Sequence, residues 1–161
     1  MKEIYLAGGC FWGVDAYFSN LDGVISTECG YANGITSSTT YEELYKTDFA
    51  ETVKVEFDEE MIFLNDILEH FYYIVDPFSV NKQGNDRGRQ YRTGIYSKNE
   101  SDLEFVKSFL RKKQEKSDKK IAIEVEKLKK YVVAEDYHQD YLKKNPNGYC
   151  HIDLSDVLEV K

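Results

Sequence analysis

Cys10 is the residue of this sequence with the clearest capacity for chemistry, because its thiol stands at a break between two structural patterns. The apolar run at residues 4–7 predicts a short buried strand, and Gly8 and Gly9 after it allow the backbone to turn. A helix is predicted directly beyond, from apolar residues at helical spacing: Phe11, Val14, Phe18 and Leu21. Cys10 is therefore expected where a strand ends and a helix begins.

A thiol at the start of a helix is favoured as the thiolate, because the first N–H groups lack partners and carry partial positive charge. Trp12 lies off the apolar stripe, so the helical pattern leaves this large ring without a place in the core. Together the two features suggest a nucleophile at the base of an apolar pocket. The alternative is a buried structural cysteine, the commoner fate of a free cysteine, and this stretch alone leaves both open.

Glu51 is a candidate acid, because it begins the strand with the clearest alternation in the chain. The strand is predicted at residues 51–58, and its apolar face consists of Val53, Val55 and Phe57. Glu51 has the same odd parity, so it points toward the core if the strand extends to it. Burial raises the pKa of a carboxyl, and the neutral form can donate a hydrogen bond. The alternative is a solvated carboxylate just before the strand, which base rates favour.

The remaining pattern predicts the elements that would position these groups. Strands are predicted at residues 24–31, 94–97 and 121–125, and helices at residues 63–75, 101–116 and 134–144, with a weaker helix at 40–46. One face of the first of these strands would hold Ile25, Thr27, Cys29 and Tyr31. Residues 79–92 are polar and lack either apolar period, which predicts a long ordered loop. Cys150 follows the turn-rich residues 145–148 on a C-terminal tail.

Composition and charge exclude several classes of protein. The 161 residues predict one domain, spanning 1–161, that is large enough to bury a core. The net charge of −8 argues against nucleic-acid binding, and no apolar run is long enough for a membrane span. The lack of a secretory pattern and the count of three cysteines predict a cytoplasmic protein with reduced thiols. No cofactor is expected, and the Cys and His residues lack the spacing of a metal site.

Several short motifs occur in one order along nearly the whole chain. They are Gly-Cys-Phe-Trp-Gly at 9–13, Gly-Tyr-Ala at 30–32, Thr-Tyr at 40–41, Ala-Glu at 50–51, Asp-Pro at 76–77, the polar segments 83–88 and 90–92, Ala-Glu-Asp-Tyr-His-Gln at 134–139, and residues 145–150. In this order they resemble the A-type methionine sulfoxide reductases, which act on the S epimer of methionine sulfoxide.

The sequence departs from the family pattern just before the candidate acid. The family's Gly-His-Ala-Glu is Asp48-Phe49-Ala50-Glu51 here, and the loop after Tyr41 is shorter. The family's His-Asp-Pro begins with Val75 instead of histidine. Neither lost histidine is then required for the chemistry.

The resemblance implies an α+β fold, a two-layer α/β sandwich. Its ferredoxin-like mixed sheet would have flanking helices and a long irregular C-terminal tail. The resemblance also implies an enzyme that uses thiols to reduce the S epimer of methionine sulfoxide, free or in proteins, in the repair of oxidised proteins. Thioredoxin is the reductant and partner that it implies.

The resemblance further assigns roles to individual residues. Cys10 would attack the sulfoxide sulfur, and Cys150 would resolve the sulfenic acid as a disulfide that thioredoxin reduces. Glu51 would donate to the sulfoxide oxygen, beside the hydroxyls of Tyr41 and Tyr91. The substrate-binding residues would be Phe11, Trp12, Asp86 and Tyr31, of which the first two hold the methyl group.

The other cysteine and the histidines are given no chemical role. Cys29 is expected to be buried and inert, because Ile25 and Tyr31 share its predicted strand face; the alternative is a redox role for this thiol. The histidines are expected to be bystanders: His70, His138 and His151.

Two other functions would use part of the same set. A thiol peroxidase or general disulfide reductase would need Cys10 and Cys150, but not Glu51 and the tyrosines. A non-catalytic binder of methionine-bearing peptides would need Phe11 and Trp12, and it would leave the paired cysteines without a role.

Overall fold

The strands and helices occur along the chain in the order that the sequence predicts. The structure is a computed structural model, and it describes residues 1–148 and 152–158. The strands are β1 (Lys2–Gly8), β2 (Val24–Ala32), β3 (Ala50–Phe57), β4 (Lys82–Gln83), β5 (Asp86–Arg87), β6 (Thr93–Ser97), β7 (Glu124–Lys127) and β8 (Tyr131–Val133). The helices are α1 (Phe11–Ser19), α2 (Leu44–Thr47), α3 (Leu64–Ile74), α4 (Glu100–Glu115) and α5 (Tyr141–Lys144). Short 3-10 turns occupy Tyr41–Glu43, Arg89–Tyr91 and Asp136–His138. In the described part of the chain, no helix is both long and apolar enough to cross a membrane.

Six strands form one mixed sheet in the order β7-β6-β1-β3-β2-β8, and β4 and β5 form a separate hairpin. Neighbouring strands of the sheet are antiparallel, except β6 and β7, which are parallel. The strands predicted at residues 4–7, 24–31, 51–58 and 94–97 are confirmed. The fold is a mixed α/β arrangement of this sheet and its helices.

The larger core lies between one face of the sheet and the helices α1, α3 and α4. In β1 and β3, every second side chain faces this core, including Ile4 and Leu6 of β1 and Val53, Val55 and Phe57 of β3. The helices contribute residues at helical spacing, including Phe11, Val14, Phe18, Ile67, Phe71, Val106 and Leu110. Each Å² of apolar surface buried here contributes about 25 cal/mol to folding. The same packing holds the start of α1 against β3.

The strand predicted at residues 121–125 begins later, at Glu124. The Ile121 N–H donates to the side chain of Gln114, and the Ala122 N–H donates to the carbonyl of Pro77. These two residues therefore form their hydrogen bonds outside the sheet. β8 has no counterpart among the predicted strands, because its 3 residues are too few to display a period.

The predicted face of β2 is wrong at its first apolar residue. Ile25 is 52% exposed, whereas Cys29 and Tyr31 are fully buried. The register of β2 on β3 shifts between Val24 and Ser26. This bulge reverses the alternation, so Ile25 points away from the face that it was predicted to share.

The helix predicted at residues 134–144 is interrupted. Asp136–His138 is a 3-10 turn, and Asp140 has a left-handed backbone, with a φ of 51°, before α5 starts. The side chain of Gln139 bonds to both the N–H and the carbonyl of Cys29, at 2.8 and 2.9 Å. The helix stops here because these bonds hold the segment against β2.

The polar residues 79–92 form an ordered loop, as predicted, built around the β4–β5 hairpin. Gln83 is buried at its base, where its side chain accepts from the Asp76 N–H and donates to the Thr93 hydroxyl. These bonds fix the loop on the end of β6. The loop thereby presents Asp86 and Tyr91 at defined positions.

Candidate active site

Cys10 lies at the junction that the sequence predicts. β1 ends at Gly8, and Gly9 turns the chain with a φ of 86°, a conformation that favours glycine. Cys10 is then the N-cap residue of α1, and it is 9% exposed. The partial positive charge at the N-terminus of α1 favours a thiolate over a thiol.

Glu51 is brought beside this turn by β3, whose alternation directs it into the core. It is 1% exposed, and its Oε1 accepts a hydrogen bond from the Phe11 N–H at 3.2 Å. Its Oε2 is buried and has no hydrogen-bond partner among the described residues. Burial raises the pKa of Glu51 to about 8; the Phe11 N–H opposes the rise and the charge of Asp86 adds to it. The predicted burial of Glu51 is confirmed, and its carboxyl is protonated at neutral pH.

Two tyrosine hydroxyls lie near the Glu51 carboxyl. Tyr41 begins one 3-10 turn and Tyr91 ends another, so the tertiary fold brings distant parts of the chain together here. The Tyr91 hydroxyl is hydrogen-bonded to the Tyr41 hydroxyl. Burial, and after it the charge of Glu51, raise the pKa of both phenols. Both therefore stay protonated, and the bond between them leaves one of the two protons available to donate to a ligand.

Asp86 reaches the same place from the polar loop. It begins β5, and its charge contributes to the raised pKa of Glu51. Its charge, with that of Cys10, also raises the pKa of Tyr41. The structure thus places the thiol, two carboxyls and two phenols close to one another.

The aromatic side of the site is formed by the two residues that follow Cys10. Phe11 is buried, and its ring centroid lies 5.7 Å from that of Tyr31. Trp12 is partly exposed, and its indole stacks on the ring of Tyr141, with centroids 3.7 Å apart and planes at 12°. Tyr141, the first residue of α5, therefore completes the aromatic side of the site beside Trp12.

Tyr31, for which the resemblance implies a substrate contact, packs against the ring of Phe11. It is fully buried, and its hydroxyl donates to Oε1 of Glu135 at 2.7 Å. Oε2 of Glu135 accepts from the Tyr41 N–H at 3.2 Å. Through Glu135, Tyr31 therefore supports the Tyr41 turn.

Glu135 and His138 also lie in this region, although the sequence analysis gave neither of them a chemical role. His138 was expected to be a bystander, but it is 1% exposed and packs against Phe11, Trp12 and Tyr41. The sequence signal for both residues is the motif at 134–139. Periodicity could not place them, because the turn that carries them follows tertiary hydrogen bonds rather than a helical repeat.

Of the other two cysteines, the structure describes Cys29. Cys29 is fully buried, and burial raises the pKa of its thiol well above the ordinary range. Its Sγ lies 3.9 Å from the Phe11 carbonyl oxygen. The prediction that Cys29 is buried is confirmed. Cys150 and His151 lie outside the described residues.

The family is decided by comparison with known protein families, because the sequence model of the family described as "Peptide methionine sulfoxide reductase" matches residues 2–161. This chain belongs to that family. It is an enzyme that reduces methionine sulfoxide with thiols, a peptide-methionine (S)-S-oxide reductase. Membership sets aside the peroxidase and the non-catalytic peptide binder.

Solved structures of methionine sulfoxide reductases share the fold. Mxr1 of Saccharomyces cerevisiae in reduced form is 39% identical with a TM-score of 0.87, over 92% of this chain and 88% of that chain. Methionine sulfoxide reductase A of Corynebacterium diphtheriae is 34% identical with a TM-score of 0.83, over 92% of this chain and 77% of that chain. Mxr1 of Saccharomyces cerevisiae in complex with Trx2 is 29% identical with a TM-score of 0.62, over 87% of this chain and 84% of that chain.

Proposed function

We propose that the Cys10 thiolate attacks the sulfur of methionine sulfoxide and that Glu51 supplies the proton. The sulfoxide oxygen is transferred from the substrate sulfur to the Cys10 sulfur. The substrate sulfur is reduced by two electrons to the thioether, and Cys10 is oxidised to a sulfenic acid that carries the proton from Glu51. Free and protein-bound methionine sulfoxide present the same reacting group and are both substrates.

The observation that carries this proposal is a neutral, buried carboxyl beside the thiol. Glu51 bonds to the N–H of Phe11, the residue that follows Cys10, and its raised pKa keeps it protonated at neutral pH. Its Oε2 has no partner among residues 1–148 and 152–158. The hydroxyls of Tyr41 and Tyr91 lie near it, and because the bond between them uses one of their two protons, the pair adds one further donor. Donors fixed in advance stabilise most strongly the charge that grows on oxygen during the reaction.

The aromatic side of the site supports selection of one epimer. Phe11 and Trp12 offer apolar surface to the methyl group on sulfur, while Glu51 and the tyrosines take the oxygen. A chiral sulfoxide held at its methyl and its oxygen presents one face of sulfur to Cys10. Asp86 organises the polar side and contacts the substrate or Glu51 through water.

The test of the function is turnover of separately purified S and R sulfoxides, of free methionine and of a short peptide, with dithiothreitol as reductant. We expect turnover of the S epimer in both forms and background turnover of the R epimer. Turnover of R without S would overturn the assignment of the epimer. Peroxide consumption without sulfoxide turnover would return the chain to the peroxidase class.

Cys150 is the proposed resolving cysteine. Its thiol attacks the Cys10 sulfenic acid, water leaves, and a Cys10–Cys150 disulfide forms, which the two thiols of thioredoxin then reduce. Support comes from Tyr141, which stacks on Trp12 and brings the segment leading to Cys150 to the site. The structure of Mxr1 with Trx2 supports thioredoxin as the reductant.

Replacing Cys150 with serine should separate the two halves of the reaction. One methionine per enzyme should still form, because Cys10 and Glu51 are intact, but turnover with thioredoxin should stop. A quenched single-turnover assay and a thioredoxin-coupled assay measure the two steps. Unchanged thioredoxin turnover would move the resolving role to another thiol, and Cys29→Ala in the same background identifies whether Cys29 supplies it.

We also propose that residues 1–161 form one cytoplasmic domain with a ferredoxin-like sheet and an irregular C-terminal tail. Support comes from the antiparallel order β6-β1-β3-β2, in which α1 joins β1 to β2 and α3 lies between β3 and β6. Neither nucleic acid nor a membrane is a partner in this proposal, and the net charge of −8 supports the first of these exclusions.

A further inference from the structure

His138 is a buried histidine enclosed by aromatic rings of the candidate site. It is 1% exposed, and it ends the 3-10 turn Asp136–His138. The ring centroids around it lie 4.2 to 5.7 Å away and belong to Phe11, Trp12, Tyr41 and Tyr137. Three of these rings belong to residues that the proposed function places around the substrate.

The hydrogen bond between Trp12 and His138 determines the state of the imidazole. The indole Nε1 can only donate, and it lies 3.0 Å from Nδ1 of His138. Nδ1 must therefore accept, and the proton of the neutral ring is on Nε2. Nε2 is buried and has no hydrogen-bond partner among the described residues.

Two of the contacts that the Trp12 indole makes constrain different motions. The stack on Tyr141 fixes the distance and tilt of the ring, but parallel rings can slide and rotate over one another. The directional bond from Nε1 to His138 removes this remaining freedom. The orientation of Trp12 over the site therefore depends on His138.

We infer that His138 is a positioning residue, whose neutral imidazole orients Trp12 for the substrate methyl group and releases it on protonation. The inference rests on the proposed function, in which Trp12 contacts the substrate. When Nδ1 is protonated it becomes a donor and faces the donor Nε1–H of Trp12, so the bond is lost. His138 acts through Trp12 and takes no part in proton transfer to the sulfoxide.

The charges around His138 agree with a neutral ring at neutral pH. Burial lowers the pKa of His138, against the opposing effect of Glu135 on its own segment and Glu42 on the Tyr41 turn. The phenols that face it, Tyr41 and Tyr137, have raised pKa values and remain uncharged. Protonation therefore occurs below the ordinary value of 6.5.

The first test uses the fluorescence of Trp12, which is the only tryptophan of the chain. The intact protein without substrate should show an emission change with pH, whose midpoint lies below 6.5. His138→Asn and His138→Phe should remove this transition, because neither side chain titrates. A wild-type emission that is flat in this range, while the protein stays folded by circular dichroism, would overturn the inference.

The second test uses three variants that keep different parts of the imidazole. His138→Asn keeps an acceptor near the position of Nδ1, His138→Gln keeps a polar group near Nε2, and His138→Phe keeps neither. We expect the KM of His138→Asn for the S sulfoxide to stay near that of wild type. In His138→Gln and His138→Phe, KM should rise about fivefold to tenfold, the effect of one lost hydrogen bond. The rate kcat should change less than KM in all three. If Gln preserves KM and Asn does not, the important atom is Nε2 and the inference is wrong.

A third measurement does not require the histidine variants to fold. The KM of wild type should rise as pH falls through the fluorescence midpoint, and in Trp12→Phe, which has no Nε1–H, this pH dependence should vanish. Persistence of the dependence in Trp12→Phe would contradict the inference. The fluorescence titration needs neither substrate nor turnover, so its result does not depend on the proposed function. If the proposed function is wrong, Cys10→Ser should instead retain single-turnover activity.

Discussion

Replacing Cys10 with serine should abolish methionine formation even in a single turnover, by about 10⁴-fold or more. A serine hydroxyl at the same N-cap is not ionised at neutral pH, so the first bond to sulfur does not form. The measurement mixes excess enzyme with the S sulfoxide and quenches the mixture at intervals. Binding should persist, because the aromatic side and Glu51 are unchanged.

The matched control is Cys29→Ala, since Cys29 is the other cysteine in the described part of the chain. Cys29 is fully buried, with a raised pKa and its Sγ near the Phe11 carbonyl. The single-turnover rate of Cys29→Ala should stay near that of wild type, and the variant should lose a modest amount of stability. Methionine formation by Cys10→Ser at more than a few per cent of the wild-type rate would remove Cys10 as nucleophile.

Replacing Glu51 with glutamine should lower the single-turnover rate by about 10²- to 10³-fold while KM changes little. Glutamine keeps the shape and a hydrogen-bond donor, but it has no acidic proton to give to the departing oxygen. An interaction that strengthens only in the transition state affects kcat more than KM. A rate within threefold of wild type, or about 0.7 kcal/mol, would remove Glu51 as the proton donor.

The same carboxyl sets the alkaline side of the pH profile. Because Glu51 must be protonated and its pKa is raised to about 8, the wild-type rate should fall as pH rises through about 8. Glu51→Gln should lose this limb. A matched control is Asp15→Asn, since Asp15 is also buried with a raised pKa but bonds to Thr27 and the Asp140 N–H. That variant should retain the limb near pH 8.

Stability should respond to the same proton. The pKa of Glu51 rises from 4.5 unfolded to about 8 folded, so unfolding releases a proton between these values. The free energy of unfolding should then fall as pH rises through this window, by at most about 1.4 kcal/mol per pH unit from this group. Urea titrations of wild type and Glu51→Gln should diverge accordingly, and a constant difference across the window would contradict a buried, neutral Glu51.

Much of the site could be predicted from the sequence, because its parts lie on elements with clear periods. The alternation of β3 predicted that Glu51 faces the core, and the change from strand to helix predicted the position of Cys10. Both predictions depend on patterns a few residues long, in which each side chain's direction follows from its neighbours. The ordered motifs added the family, and with it the candidate roles of Tyr41, Tyr91 and Cys150.

The tertiary structure alone decided where the non-periodic segments lie. Gln139 bonds to the backbone of Cys29 and Asp140 takes a left-handed conformation, so the predicted helix breaks and His138 packs under Trp12. The bulge that exposes Ile25 likewise depends on the pairing with β3. Hydrogen bonds of this kind join residues far apart in the chain, so they leave no period in the sequence. Local spacing therefore determined where Cys10 and Glu51 lie, while long-range hydrogen bonds determined which side chains surround them.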